Sequence, residues 1–144
     1  DAAGRITGYT DGSGLYTNFA HHLRCAGFGI FWGPEDPRNI STPLSGPWQS
    51  AQRAEVSAVT AAARAFPDRP LLISTDSQYT WERACLMAAG YPADPFKEHY
   101  DLLKELEHAI RNRPAHAPVR FEKAKALISY ADLGIRFTFS LRLF

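Results

Sequence analysis

Cysteine is scarce: Cys25 and Cys85 are the two in a chain of 144 residues. That is too few for a disulfide framework or a cysteine-ligated zinc site, and it fits two half-buried thiols in a reducing compartment. Long apolar runs are missing too. No stretch approaches the roughly 20 consecutive apolar residues of a membrane-spanning helix, so no membrane partner is expected. Asp1 opens no recognisable signal peptide, and an intracellular location follows as the expectation, with cytoplasm and nucleus undivided. The absent initiator Met suggests a trimmed chain or a domain excised from a longer polypeptide. Internal repeats and low-complexity segments are lacking. An excess of one charge is lacking as well, since 16 Lys and Arg face 15 Asp and Glu. Only the distribution is uneven: from Ala109 onward seven basic residues face Glu122 and Asp132. Such a mildly basic end is compatible with nucleic acid and equally with an ordinary solvated surface.

What is present suits one domain, residues 1–144, with an ordinary core built from 45% hydrophobic and 12% aromatic residues. Arg5–Thr10 alternates as a strand, Asp11 stands where that strand ends, and Gly12-Ser13-Gly14 reads as a tight turn. The adjacent His21 and His22 diverge on any regular element, so they read as loop or hairpin surface and not as a shared metal site. Ala26–Gly33 is rich in aromatic and β-branched residues and reads as a second strand. A short third strand fits near Thr42–Leu44 or Pro47–Gln49. Ser50 suits an N-cap for a helix to about Phe66, with Val56, Val59, Ala63 and Phe66 on one face and Glu55 beside that stripe. Leu71–Thr75 is a short apolar run typical of a covered strand, and Asp76 stands at its C-terminal end. Helices are expected over Ser77–Ala89 and Pro95–Asn112, the second with Leu102 or Leu103, Leu106, Ala109 and Ile110 inward and Glu98, Asp101, Lys104, Glu105 and Glu107 outward. Val119–Ala126 and Ile135–Phe144 alternate as strands. The order describes an α/β domain with a mixed sheet.

Three carboxylates stand out: Asp11, Glu55 and Asp76. If the first strand and the Leu71 strand are neighbours, Asp11 and Asp76 meet at one edge, and the helix between them can bring Glu55 to the same spot. Carboxylates so gathered repel one another unless cations neutralise them. Hard divalent ions with oxygen ligands, Mg²⁺ or Mn²⁺, are the natural partners. Two such ions can activate a water and stabilise the leaving oxygen in phosphodiester cleavage.

Thr10-Asp11-Gly12-Ser13, Gln52-Arg53-Ala54-Glu55 and Ser74-Thr75-Asp76-Ser77 resemble the three leading motifs of type 1 ribonuclease H, in the family's order and with Ala26-Gly-Phe-Gly-Ile placed like its second strand. The resemblance covers about residues 5–125. It implies a ribonuclease H-like fold, a mixed five-stranded sheet flanked by helices. It also implies cleavage of the RNA strand of RNA–DNA hybrids with two Mg²⁺ ions, Mn²⁺ serving as a substitute. Asp11 would bridge both ions, with Glu55 and Asp76 on the leaving-group side. Gly12 and Ser13 would let the backbone approach the substrate, Gln52 would read the hybrid's minor groove, and Ser50 would help bind a DNA phosphate. Ala51 replaces a common Asn, and Asn18 matches an Asn of the first hairpin.

The C-terminal part, residues 126–144, departs from that pattern. The family's His-bearing loop is absent, His116 falls on the wrong side of the last core strand to replace it, and the basic protrusion of some members is not visible. Tyr130-Ala131-Asp132-Leu133 resembles the family's Ala-Asp-x-Leu core, which makes Asp132 the candidate fourth carboxylate; a surface Asp before a strand is the alternative. Tyr79, Trp81 and Tyr91 suit either stacking along a DNA groove or the core. Two functions therefore stay open: a hybrid-specific endonuclease, free-standing or cut from a larger polypeptide such as a reverse transcriptase, or a catalytically impaired nucleic-acid-binding or scaffold module. The three intact carboxylates favour the first. A monomer is expected.

Overall fold

The computed structural model describes residues 4–15 and 25–124. The elements run β1 (Ile6–Leu15), β2 (Cys25–Phe31), β3 (Ile40–Pro43), α1 (Ala51–Ala63), β4 (Leu71–Thr75), α2 (Gln78–Ala88), α3 (Tyr100–Arg111) and β5 (Val119–Lys123). The strands form one mixed sheet in the order β3-β2-β1-β4-β5. β1 is antiparallel to β2 and parallel to β4, and β4 is parallel to β5. The expected mixed five-stranded sheet with flanking helices is therefore present. The alternating segment Ile135–Phe144 lies outside the described residues.

β1 differs from the expectation. It does not stop at Asp11 but runs on through Gly12, Ser13 and Gly14 to Leu15, paired step by step with β2. The glycines looked like a turn because their local preference is for one, but the antiparallel ladder of β2 supplies hydrogen bonds that keep the chain extended. Only the parallel pairing with β4 ends near Asp11, its last register pair being Thr10 with Thr75.

α1 starts where its signals lie. Ser50 adopts extended backbone and its hydroxyl accepts from the Arg53 amide at 3.1 Å, satisfying one of the helix's orphan donors. Gln49 pins the same end: its side-chain oxygen accepts from the Ala26 amide, and its NH₂ donates to the carbonyls of Leu44 and Gly46. At the far end all five N–H bonds of Arg113 are used. They go to the carbonyls of Ala63, Ala65, Phe66, Arg69 and Ala117. That fork ties the end of α1 and the following loop to the segment after α3, with the Phe66 carbonyl accepting from the Arg69 amide as well. Phe66 lies beyond the helix at φ 46°, and its ring meets Trp32 edge-on at 4.9 Å.

α3 begins at Tyr100, not Pro95. The Asp94 carboxylate accepts from the Phe96 amide and the Asp94 carbonyl accepts from Lys97, closing a turn. His99 then takes a left-handed conformation (φ 62°) that no helix can continue through backwards. Glu98 accordingly lies outside the helix, and Glu107, expected to cover the outside, accepts from the Ala93 amide. The core lies between sheet and helices, with Val56 and Val59, Leu71 and Ile73, and Leu103 and Leu106 all at most 1% exposed. No helix among the described residues is long and apolar enough to cross a membrane.

Candidate active site

The register that joins β1 to β4 builds the centre. Because Thr10 pairs with Thr75 as the last step of the β1–β4 ladder, the next residues of the two strands, Asp11 and Asp76, stand side by side where that ladder ends, Asp11 still paired with Gly29 of β2. Thr10 is buried and donates its hydroxyl to the Ser74 carbonyl, tying the two strands together just before the carboxylates. Asp76 is then held in a two-residue connection. Ser77 caps α2 by accepting from the Thr80 amide, and its own amide donates to the Thr75 hydroxyl.

Glu55 arrives from α1, and Gly12 is what lets it come so close. A Cβ at Gly12 would lie 2.6 Å from the Glu55 nitrogen and 2.8 Å from the Ala54 carbonyl carbon. The glycine expected to make a turn serves instead as the contact plane for a helix. The result is a cluster in which one carboxylate oxygen each of Asp11, Glu55 and Asp76 lies within 4.8 Å of the others.

The electrostatics of the cluster are strained. Glu55 is 8% exposed, and its Oε2 is buried with no hydrogen-bond partner. Burial, and then the charges of Asp76 and Asp11, push its carboxyl up to about 9, against a weaker pull from the Gly12 amide. Burial and the Asp76 charge likewise push Asp11 up to about 6. An unpartnered buried oxygen and mutually repelling carboxylates on an all-oxygen donor set fit a hard divalent cation, which would supply the missing partner.

The other expected site residues divide. Gly12 and Ser13 lie next to Asp11 in β1, and the Ser13 hydroxyl is buried without a partner. Ser50 caps α1, and Gln52 follows in its first turn. Asn18 and Asp132 lie outside the described residues. Of the aromatics, Tyr79 packs against the core while its hydroxyl donates to the Glu98 carbonyl at 2.6 Å, and Tyr91 is 61% exposed. Trp81 is half-buried, its Nε1 without a partner.

Sequence reasoning missed a polar network beside the N-terminus of α1. Arg53 forms a two-pronged pair with Asp101, Nη1 to Oδ1 at 3.0 Å and Nη2 to Oδ2 at 2.7 Å. Its Nη1 also meets His99 Nδ1 at 3.3 Å, while His99 Nε2 meets Gln52 Oε1 at 3.1 Å. The Arg53 hydrogen bond draws the Asp101 carboxyl below its usual value, and burial followed by the Arg53 charge lowers His99. Arg53, His99 and Asp101 border an open groove of about 560 Å³ that Trp48 and Ser50 also line. No local pattern announces contacts between residues 46 to 48 positions apart.

Comparison with known proteins places this architecture. The family model described as RNase H matches residues 3–126. A ribonuclease H of Schizosaccharomyces pombe is 42% identical over 89 residues, 62% of this chain and 33% of that protein. Among solved structures, the PFV RNase H domain superposes with a TM-score of 0.59 at 25% identity, covering 85% of this chain and 82% of the domain. The native prototype foamy virus protease–reverse transcriptase gives 0.57 at 26% identity, covering 81% of this chain and 17% of the viral one. The chain thus spans about a third of the yeast relative and a smaller share of the viral polypeptide.

Proposed function

This chain belongs to the RNase H family, and from that we propose that it is an endonuclease hydrolysing the RNA strand of RNA–DNA hybrids with two divalent metal ions. The observation that carries the proposal is the Asp11–Glu55–Asp76 cluster, in which one carboxylate oxygen of each residue lies within 4.8 Å of the others and Glu55 Oε2 is buried and unpartnered. The reading assigns Asp11, Glu55 and Asp76 as metal ligands, with Asp132 as the fourth carboxylate. Bound Mg²⁺, with Mn²⁺ as a substitute, would supply an activated water and stabilise the leaving oxygen.

The chain's own residues hold the cluster ready. β1 and β4 carry Asp11 and Asp76 on a shared register, and α1 delivers Glu55 across Gly12. Ser50 accepts from the Arg53 amide as a cap, which leaves its O–H free to donate to a phosphate. Gln52 stands one turn before Glu55 on the same helix, suited to reach the minor groove, where RNA displays its 2′-hydroxyls. The ribonuclease H name of the yeast relative and the reverse-transcriptase context of the viral one support a domain within a longer polypeptide.

The test is cleavage of an end-labelled RNA–DNA hybrid in Mg²⁺ and in Mn²⁺, with duplex DNA and duplex RNA as controls. Hybrid-only cleavage that disappears in Asp11→Asn and Asp76→Asn, both still folded by circular dichroism, is the expected result. Full activity in either variant would refute the assigned site. Hybrid binding with no cleavage in either metal would instead establish a binding module.

A further inference from the structure

Hydrogen-bond logic fixes more about Gln52 than its position. Arg53 can only donate, so His99 Nδ1, 3.3 Å from Nη1, must be the acceptor and carry no proton. A neutral imidazole then carries its proton on Nε2, and burial and the Arg53 charge, which lower His99, favour that neutral form. Nε2–H therefore donates to Gln52 at 3.1 Å, and the atom it meets has to be the amide oxygen. Gln52 makes no other side-chain hydrogen bond among the described residues, and none of them engages its NH₂. Asp101 holds the chain of contacts at its other end by gripping Arg53 with both oxygens.

We propose that His99 is a positioning residue that locks the Gln52 amide with its NH₂ toward the substrate, and so makes minor-groove contact independent of base sequence. The inference rests on the hybrid-cleaving reading of the preceding subsection. Every base pair offers an acceptor in the minor groove, purine N3 or pyrimidine O2, and only guanine adds a donor, its N2 amino group. An amide presenting N–H meets an acceptor at any step. An amide free to turn can present its oxygen, and that oxygen is satisfied only by guanine. Without His99, then, the protein acquires a preference it does not otherwise have.

The experiment uses hybrids in which a single guanine, walked across the duplex, is replaced by inosine, which pairs with cytosine but lacks the minor-groove amino group. The variant is His99→Asn: asparagine tolerates the left-handed backbone at this position (φ 62°) but its amide is too short to reach Gln52. Each measurement is the ratio of kcat/KM on guanine to that on inosine within one preparation, which partial unfolding does not alter. Wild type is expected to give a ratio near one at every position. His99→Asn is expected to favour guanine about three- to tenfold at the contacted step, the worth of one neutral hydrogen bond. The effect should vanish in the double variant His99→Asn/Gln52→Ala. A ratio near one in His99→Asn would overturn the inference while leaving hybrid cleavage standing, and a guanine preference already present in wild type would overturn it as well. Failure of wild type to cleave any hybrid would remove the underlying reading, and the inference with it.

Discussion

Removing the ionisable group of Glu55 should change how the metal-free protein responds to pH. Burial and its two acidic neighbours raise this carboxyl from 4.5 to about 9. Between those values the folded protein holds a proton that the unfolded chain has released. Stability must therefore fall as pH rises, by about 1.4 kcal/mol per pH unit for one such group. The stabilisation is fully present below the unfolded value and is lost as pH passes through about 9. Asp11 behaves in the same sense, but its window closes near 6, so above pH 7 it is ionised in both states. The interval from pH 7 to 8.5 isolates Glu55.

Over that interval the wild-type protein in EDTA should lose about 2 kcal/mol, a large part of the roughly 5–15 kcal/mol typical of a domain. With urea slopes of about 1–3 kcal/mol/M, the unfolding midpoint should drop by roughly 0.7–2 M. Glu55→Gln has nearly the shape of the protonated side chain and cannot ionise, so its midpoint should stay level. Mg²⁺ at about 100 times its Kd should add about 2.7 kcal/mol to the wild type, more at the higher pH because the metal displaces the proton. Parallel pH slopes for the two proteins in EDTA would show that Glu55 is already ionised, and the account of the cluster would fall.

Three further perturbations follow from the same geometry. Gly12→Ala places a methyl 2.6 Å from the Glu55 nitrogen, so thermal unfolding should report about 1–3 kcal/mol of destabilisation and cleavage should fall at least about tenfold as α1 retreats; an active, stable variant would show that the helix yields without cost. Arg113→Ala removes a donor from five carbonyls, of which Phe66 keeps the Arg69 amide, and should lower stability by about 3 kcal/mol in urea melts, with cleavage per folded molecule unchanged; a loss below about 1 kcal/mol would mean that water replaces the fork. Asp132→Asn should reduce cleavage partially, more in Mg²⁺ than in Mn²⁺, and unchanged rates in both would demote it to a surface residue.

The parts of the fold legible in the sequence are those whose causes are local. Ser50 and Ser77 cap the helices they precede, and the apolar run Leu71–Thr75 is the interior strand it looked like. That Asp11, Glu55 and Asp76 come together was legible because Asp76 follows an apolar strand run, Glu55 follows a capped helix start, and Asp11 follows the residues that pair with that strand. Two errors have non-local causes. β1 continues through Gly12–Gly14 because β2 lies alongside, and α3 starts late because residues 94–99 form a turn ending in a left-handed His99. That same His99 reaches Gln52 across 47 residues, so the misplaced helix start and the missed network are one omission. Reading Pro95 as the first helical residue put His99 inside a regular helix, where nothing would single it out.

The two ends of α1 explain how the fold tolerates its own centre. Near its N-terminus the helix carries a buried carboxylate facing two others, an arrangement that opposes folding whenever metal is absent and the group is ionised. A helix held only there would relieve the repulsion by sliding off Gly12. It is held elsewhere: Gln49 ties its entry to β2 through the Ala26 amide, Val56 and Val59 seat its middle in the core, and Arg113 grips the carbonyls at its exit. None of these contacts involves a carboxylate of the cluster. The forces that place Glu55 are thus independent of the charge that Glu55 carries, and the cluster is held together whatever its state of ionisation.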